Sequence, residues 1–172
     1  EIVIQRSGNE KALETPFQLF EKTWQRADRW ALVITSPDKL PKTAQQSTFI
    51  HAALELELVG QTEAAREAYL AARNRWPNAA MAIFGAGNTS YKLKEFAQAA
   101  RLYGEYVTQT PDSASGWNNL AHSLMQLECP DESIEAIRCA LSIDPTNPEY
   151  RDSRRELLER RASTSGHEPK SS

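Results

Sequence analysis

The chain has 172 residues, 40% apolar and 25% charged, with 20 Lys and Arg against 23 Asp and Glu. That balance gives no electrostatic case for nucleic acid or for an anionic membrane surface, and no run approaches the roughly 18 apolar residues of a membrane helix. The chain opens at Glu1, which leaves open a signal peptide or a domain ahead of it.

Residues 1–36 read as a small strand-helix-strand element of α+β type. EIVIQR puts Ile2 and Ile4 on one face, and Ser7, Gly8 and Asn9 make a turn. Thr15 is expected to cap a helix, with Pro16 in its first turn, Gln18 completing a capping box, and Phe17, Phe20 and Trp24 on its buried face through Ala27. The apolar run from Trp30 to Ile34 opens a second strand, Trp30 to Thr35, placed beside EIVIQR. A unit below about 40 residues usually needs staples or partners to stay folded, so this one is expected to be the end of a larger domain. Pro37, Leu40 and Pro41 then mark a linker over residues 37–43.

From residue 44 the pattern changes to a repeat. Pro77, Pro111 and Pro145 recur at a constant period of 34 residues, and so do Ala65, Ala99 and Ser133, the set Tyr69, Tyr103 and Ile137, and the small residues Ala53, Gly87 and Ala121. In the third unit Trp117, Leu120, Leu124 and Leu127 form one helical stripe, and Ile134, Ile137, Ala140 and Leu141 form another. Between them the chain turns at Glu128 to Pro130; Pro130 suits a first helical position, with Asp131 and Glu132 at the positive end of the helix dipole. Asp144 and Pro145 stop the second helix. The small columns sit where paired helices approach closely.

These columns resemble the tetratricopeptide repeat. The third unit matches its pattern at Trp117, Leu120, Ala121, Leu124, Ser133, Ile137, Ala140 and Pro145, and the first at Phe49, Ala52, Ala53, Leu56, Ala65, Tyr69, Ala72 and Pro77. The second departs at Ser90, in a Tyr column, and at Tyr106, where Ala is usual. The resemblance implies a mainly α fold: an α-solenoid of three repeats over 44–146, a capping helix over 147–162 carrying Tyr150, Leu157 and Leu158, and a polar tail over 163–172. Residues 1–41 resemble the end of bacterial double-glycine, bacteriocin-processing cysteine peptidases of the papain-like group, in the branch where that domain precedes such repeats. The resembling marks are FEKTW (Phe20 to Trp24), WALV (Trp30 to Val33) and the Pro37, Leu40, Pro41 linker. This likeness implies a bacterial envelope or periplasmic protein whose catalytic Cys and His lie upstream. Here no His precedes His51 and no Cys precedes Cys129, so this chain is expected to hold no catalytic residue.

In this family the first helices of the repeats line a groove for an extended peptide or partner helix. The corresponding positions are His51, Leu54 and Glu57 in the first unit, Phe84, Asn88, Tyr91 and Lys92 in the second, and Asn118, Asn119 and His122 in the third. Asn can pair with a peptide backbone in both senses, and Phe84 and Tyr91 offer rigid apolar area. The basic residues of a carboxylate clamp are mostly missing, so a chaperone-type acidic tail is not the expected ligand. His51 and His122 lack a ligand set for a metal, and nothing calls for a cofactor. Cys129 and Cys139 lie about 15 Å apart if helical, beyond the roughly 7 Å limit for a disulfide, and read as free thiols. The function expected is a protein- or peptide-binding module of a peptidase; the alternative is a stand-alone adaptor with no enzymatic domain.

Overall fold

The computed structural model describes residues 2–4, 13–15 and 36–165, with side chains from 36 to 163. The chain divides into two compact units, Glu1–Ile34 and Thr35–Ser172.

In the first unit β1 (Ile2–Ile4) pairs antiparallel with β2 (Leu13–Thr15), in the register Ile2 with Thr15 and Ile4 with Leu13. The partner found for β1 is therefore a segment not expected to be a strand. Thr15, expected to cap a helix, ends β2: Pro16 confines it to extended backbone, and its branched side chain favours a strand. The expected helix over 17–27 and the strand Trp30 to Thr35 lie outside the described residues.

Among the described residues the second unit has seven helices: α1 (Gln46–Leu58), α2 (Thr62–Arg75), α3 (Ala80–Lys92), α4 (Phe96–Gln109), α5 (Ala114–Gln126), α6 (Pro130–Ile143) and α7 (Pro148–Ser165). Each packs on the next, so three antiparallel pairs and a last helix make a solenoid. Local chemistry sets the ends. The Ser113 hydroxyl accepts from Gly116 N–H at 3.2 Å to cap α5, Pro130 opens α6, and Asn147 Oδ1 accepts from Glu149 N–H at 3.0 Å to start α7.

The turn inside each pair is a Schellman motif, in which an N–H reaches back five residues: Gln61 to Leu56 carbonyl, Glu95 to Ser90 and Cys129 to Leu124, at 2.9–3.0 Å. It demands a left-handed residue at one repeat column. Gly60 meets that demand at φ 79°, while Lys94 and Glu128 adopt φ 62° and 60° at a cost of about 1–2 kcal/mol each.

The small columns are buried as their spacing implies, with Ala53, Ala65, Ala99, Ala121 and Ser133 each at 0% exposure. The second repeat's departures are compensated across helices. Tyr106, in a column that holds Ala72 and Ala140, stacks on Phe84 with centroids 4.8 Å apart. A Cβ on Gly116 would lie 2.7 Å from the Tyr106 ring, so that glycine supplies the room the larger side chain needs. On the outer helices Arg73 grips the Glu105 carboxylate bidentately at 2.6–3.0 Å and Arg66 pairs with Glu95, tying successive repeats together.

Candidate functional site

The first helices of the repeats, α1, α3 and α5, share one face, and α7 closes its end. A cleft of about 460 Å³ lies there, within the size range of small binding sites. Asn88, Tyr91 and Lys92 on α3 line it with Asn118, Asn119 and His122 on α5. Glu57 of α1, Tyr103 of α4 and Glu149 of α7 complete the lining.

Helical spacing explains the convergence: Asn88, Tyr91 and Lys92 lie three and four residues apart, as do Asn118, Asn119 and His122, so each set occupies neighbouring turns of one face. The small column beside them keeps the helices close. A Cβ on Gly87 would come within 2.8 Å of the Tyr103 ring, and the absence of one lets that tyrosine reach the cleft floor. There its hydroxyl donates to Asn88 Oδ1 at 2.7 Å, and the same oxygen accepts from Asn119 Nδ2 at 3.3 Å. Burial pushes the Tyr103 phenol far above its ordinary range, so it stays a donor. Asn88 is thereby held by two donors from two other helices.

The charged groups pair by repeat. Lys92 Nζ meets Glu57 Oε1 at 2.6 Å, and Tyr69 OH donates to the other Glu57 oxygen at 3.3 Å. His122 Nε2 lies 3.0 Å from Ser153 Oγ on α7, joining the third repeat to the last helix. Burial lowers the His122 pKa below its ordinary 6.5, with Glu156 and Glu149 opposing and Arg160 assisting. Asn118 is only 7% exposed and its Oδ1 has no hydrogen-bond partner. A buried amide oxygen left unmet costs free energy that a ligand donor would recover.

The lowered His122 pKa fixes the sign of a pH effect. A ring that binds a proton less readily folded than unfolded contributes stability present above about 6.5 and lost as pH falls below it. Urea midpoints are expected to fall between about pH 7.5 and about pH 5.5, above the carboxylate range. The His122→Asn variant is expected to show a smaller fall. An unchanged slope in that variant would assign the effect elsewhere.

Three expected site residues stand apart from the cleft: His51, Phe84 and Leu54, the last an exposed side chain on α1. His51 is exposed and lies 3.4 Å from Glu55 one turn on. Phe84 is half-buried and turned onto the rings of Tyr103 and Tyr106, at 5.9 and 4.8 Å between centroids. The sequence reading missed Tyr103 as anything but core, although its column places it against the first helix of its own pair. It also missed Glu149, since nothing in the repeat pattern tells how α7 meets the groove. Among the described residues no group of three or more His, Cys, Asp or Glu is placed to hold a metal, and none of the helices is long and apolar enough to cross a membrane. Cys129 and Cys139 are free thiols.

A solenoid of paired helices with an amide-rich inner cleft defines a helical-repeat class of protein. The chain belongs to the tetratricopeptide repeat family, whose pattern matches residues 52–114 and 84–148. It is 27% identical over 138 residues to Protein FlbA of Caulobacter vibrioides, covering 80% of this chain but only 22% of that protein's length. Among solved structures it resembles the first repeat domain of Spaghetti (RPAP3) bound to the HSP90 peptide SRMEEVD, with a TM-score of 0.65, 15% identity, and coverage of 68% and 93% of the two chains. It also resembles the Yersinia enterocolitica type III secretion chaperone SycD in complex with a peptide of the translocator YopD, with a TM-score of 0.61, 14% identity, and coverage of 74% and 100%. At these identities the structural likeness establishes the fold.

Proposed function

We propose that this chain is a protein- or peptide-binding module whose ligand lies in the cleft across α1, α3 and α5. The observation that carries the reading is the convergence of Asn88, Tyr91, Asn118, Asn119 and His122 on one cleft, with the buried Asn118 oxygen unmet. Asn118 and Asn119 pair with the ligand backbone, and Tyr91 supports an apolar side chain; Phe84, packed on Tyr103 and Tyr106, backs the site instead of touching the ligand. Both structural neighbours described above were solved with peptides, which supports the same use of the fold here. The acidic SRMEEVD type of ligand is a poor fit, because Lys92, the cation of the cleft, is already paired with Glu57.

The adaptor reading is the better supported of the two considered. The peptidase reading rests on the likeness of residues 1–41 alone, and the repeat module is what the comparisons support. A Cys followed by a His in a preceding domain would revive it. The bacterial relative supports a bacterial setting.

The test is direct. Peptides selected on the intact chain from a random library are expected to lose about tenfold in affinity with Tyr91→Ala or Asn118→Ala, a change of about 1.4 kcal/mol. Thermal stability should hold with Asn118→Ala, because Asn118 Oδ1 makes no hydrogen bond to lose, while Tyr91→Ala also gives up the ring contact with Phe96 at 5.2 Å between centroids. Binding that survives both changes and disappears with Arg154→Glu on α7 would move the ligand to the outer face of that helix.

A further inference from the structure

The polar groups of the cleft are not balanced. Lys92 is taken up by Glu57, whose second oxygen accepts from Tyr69. Asn88 Oδ1 already accepts from two donors, and His122 Nε2 is joined to Ser153. Two acceptors in the lining stay open to a ligand, one buried and one exposed to solvent. One is the buried Asn118 Oδ1. The other is the Glu149 carboxylate at the rim, which makes no ion pair among the described residues. Glu149 also borders a second hollow of about 560 Å³ along α7, where Glu156 and Glu159 continue the acidic edge and Arg155 is occupied by Asp152.

The buried Asn118 oxygen calls for a donor, and the exposed Glu149 carboxylate adds a full negative charge at the rim. We propose that the cleft receives a lysine or arginine side chain on an extended peptide segment, its cation against Glu149 and a backbone N–H of the segment on Asn118 Oδ1. This rests on the peptide-binding reading and adds the chemistry of the ligand. A ligand carboxylate at the same place would face Glu149 with Lys92 already neutralised, so charge complementarity selects for cations and against anions. The cation enters at the rim, where it keeps part of its hydration, while the neutral N–H goes to the buried oxygen. That division avoids the cost of burying a charge.

The experiment uses an array of random nine-residue peptides, acetylated and amidated so that only side chains carry charge, probed with the intact chain. The bound peptides are expected to share a Lys or Arg at one position. Their affinity is expected to fall about threefold with Glu149→Gln, roughly tenfold with Glu149→Lys, and not at all with Glu132→Gln, and to weaken with added salt. Neutral or acidic peptides that bind and are lost with Asn118→Ala would overturn the proposal and leave the groove reading standing. Basic peptides indifferent to Glu149→Lys would also overturn it. Peptides indifferent to both Asn118→Ala and Tyr91→Ala, or an array with no peptide bound, would overturn the groove reading and this proposal together.

Discussion

Gly85→Ala is expected to destabilise the solenoid by roughly 1–3 kcal/mol, although the same change at an open helical site is stabilising. A Cβ on Gly85 would lie 2.5, 2.6 and 2.7 Å from Cζ, Cε1 and Cε2 of Tyr69. The ring is 3% exposed, sits in a core with Ala53, Ala65 and Leu102, and is tethered through its hydroxyl to Glu57. It therefore has little room to withdraw, and α2 and α3 must separate to admit the methyl group. Against this stands a gain of about 1 kcal/mol from replacing Gly inside a helix. Gly104, in α4, isolates that gain, because a Cβ there meets nothing within 4 Å. Gly104→Ala is thus expected to raise the urea midpoint and Gly85→Ala to lower it. Shifts of the same sign would mean that the Tyr69 contact does not limit the spacing of the first two repeats.

Gly85 also shows what the repeat columns could and could not convey. The positions that recur are the ones every helix pair needs, so Ala65, Ala99 and Ser133 were legible from spacing alone, and all three are buried. Gly85 belongs to no column: His51 and Asn119 occupy its place in the neighbouring units, and its role exists only because Tyr69 points at it from the preceding helix. Compensations of this kind, like Gly116 beneath Tyr106, are pair properties and leave no trace in a single-column pattern. The inner face was legible for a related reason. Asn88, Tyr91, Asn118 and His122 are polar or amphipathic at positions where the helices turn away from their partners. Phe84 has the same spacing, but its apolar ring is drawn onto Tyr103 and Tyr106. The first strand was harder still. A three-residue strand has too short a pattern to name its partner, and Leu13–Thr15 was hidden by the helix signals of Thr15, Pro16 and Gln18.

Leu157→Ala is expected to have the largest effect, a loss of about 2–5 kcal/mol, and to carry the binding site with it. α7 is mostly charged on its surface, and Leu157 is its buried apolar side chain, at 0% exposure, that joins it to the core of Ala121, Ile137 and Ala140. Tyr150 packs beside that core, Ser153 meets His122, and Arg161 reaches Asp131 of α6 at 2.6 Å. An exposed ion pair of that kind contributes at most about 1 kcal/mol, so without Leu157 the helix is held weakly. Because Glu149 and Ser153 ride on α7, its loosening removes one wall of the cleft and exposes His122. Hydrogen exchange in residues 148–165 should therefore rise before the other helices are affected, and the affinity for selected peptides should fall in parallel. Leu158, 37% exposed on the next position, is the matched control, and Leu158→Ala should change little. If the two variants lose the same stability, the docking of α7 does not run through Leu157, and the closure of the cleft by the last helix must be held by other contacts.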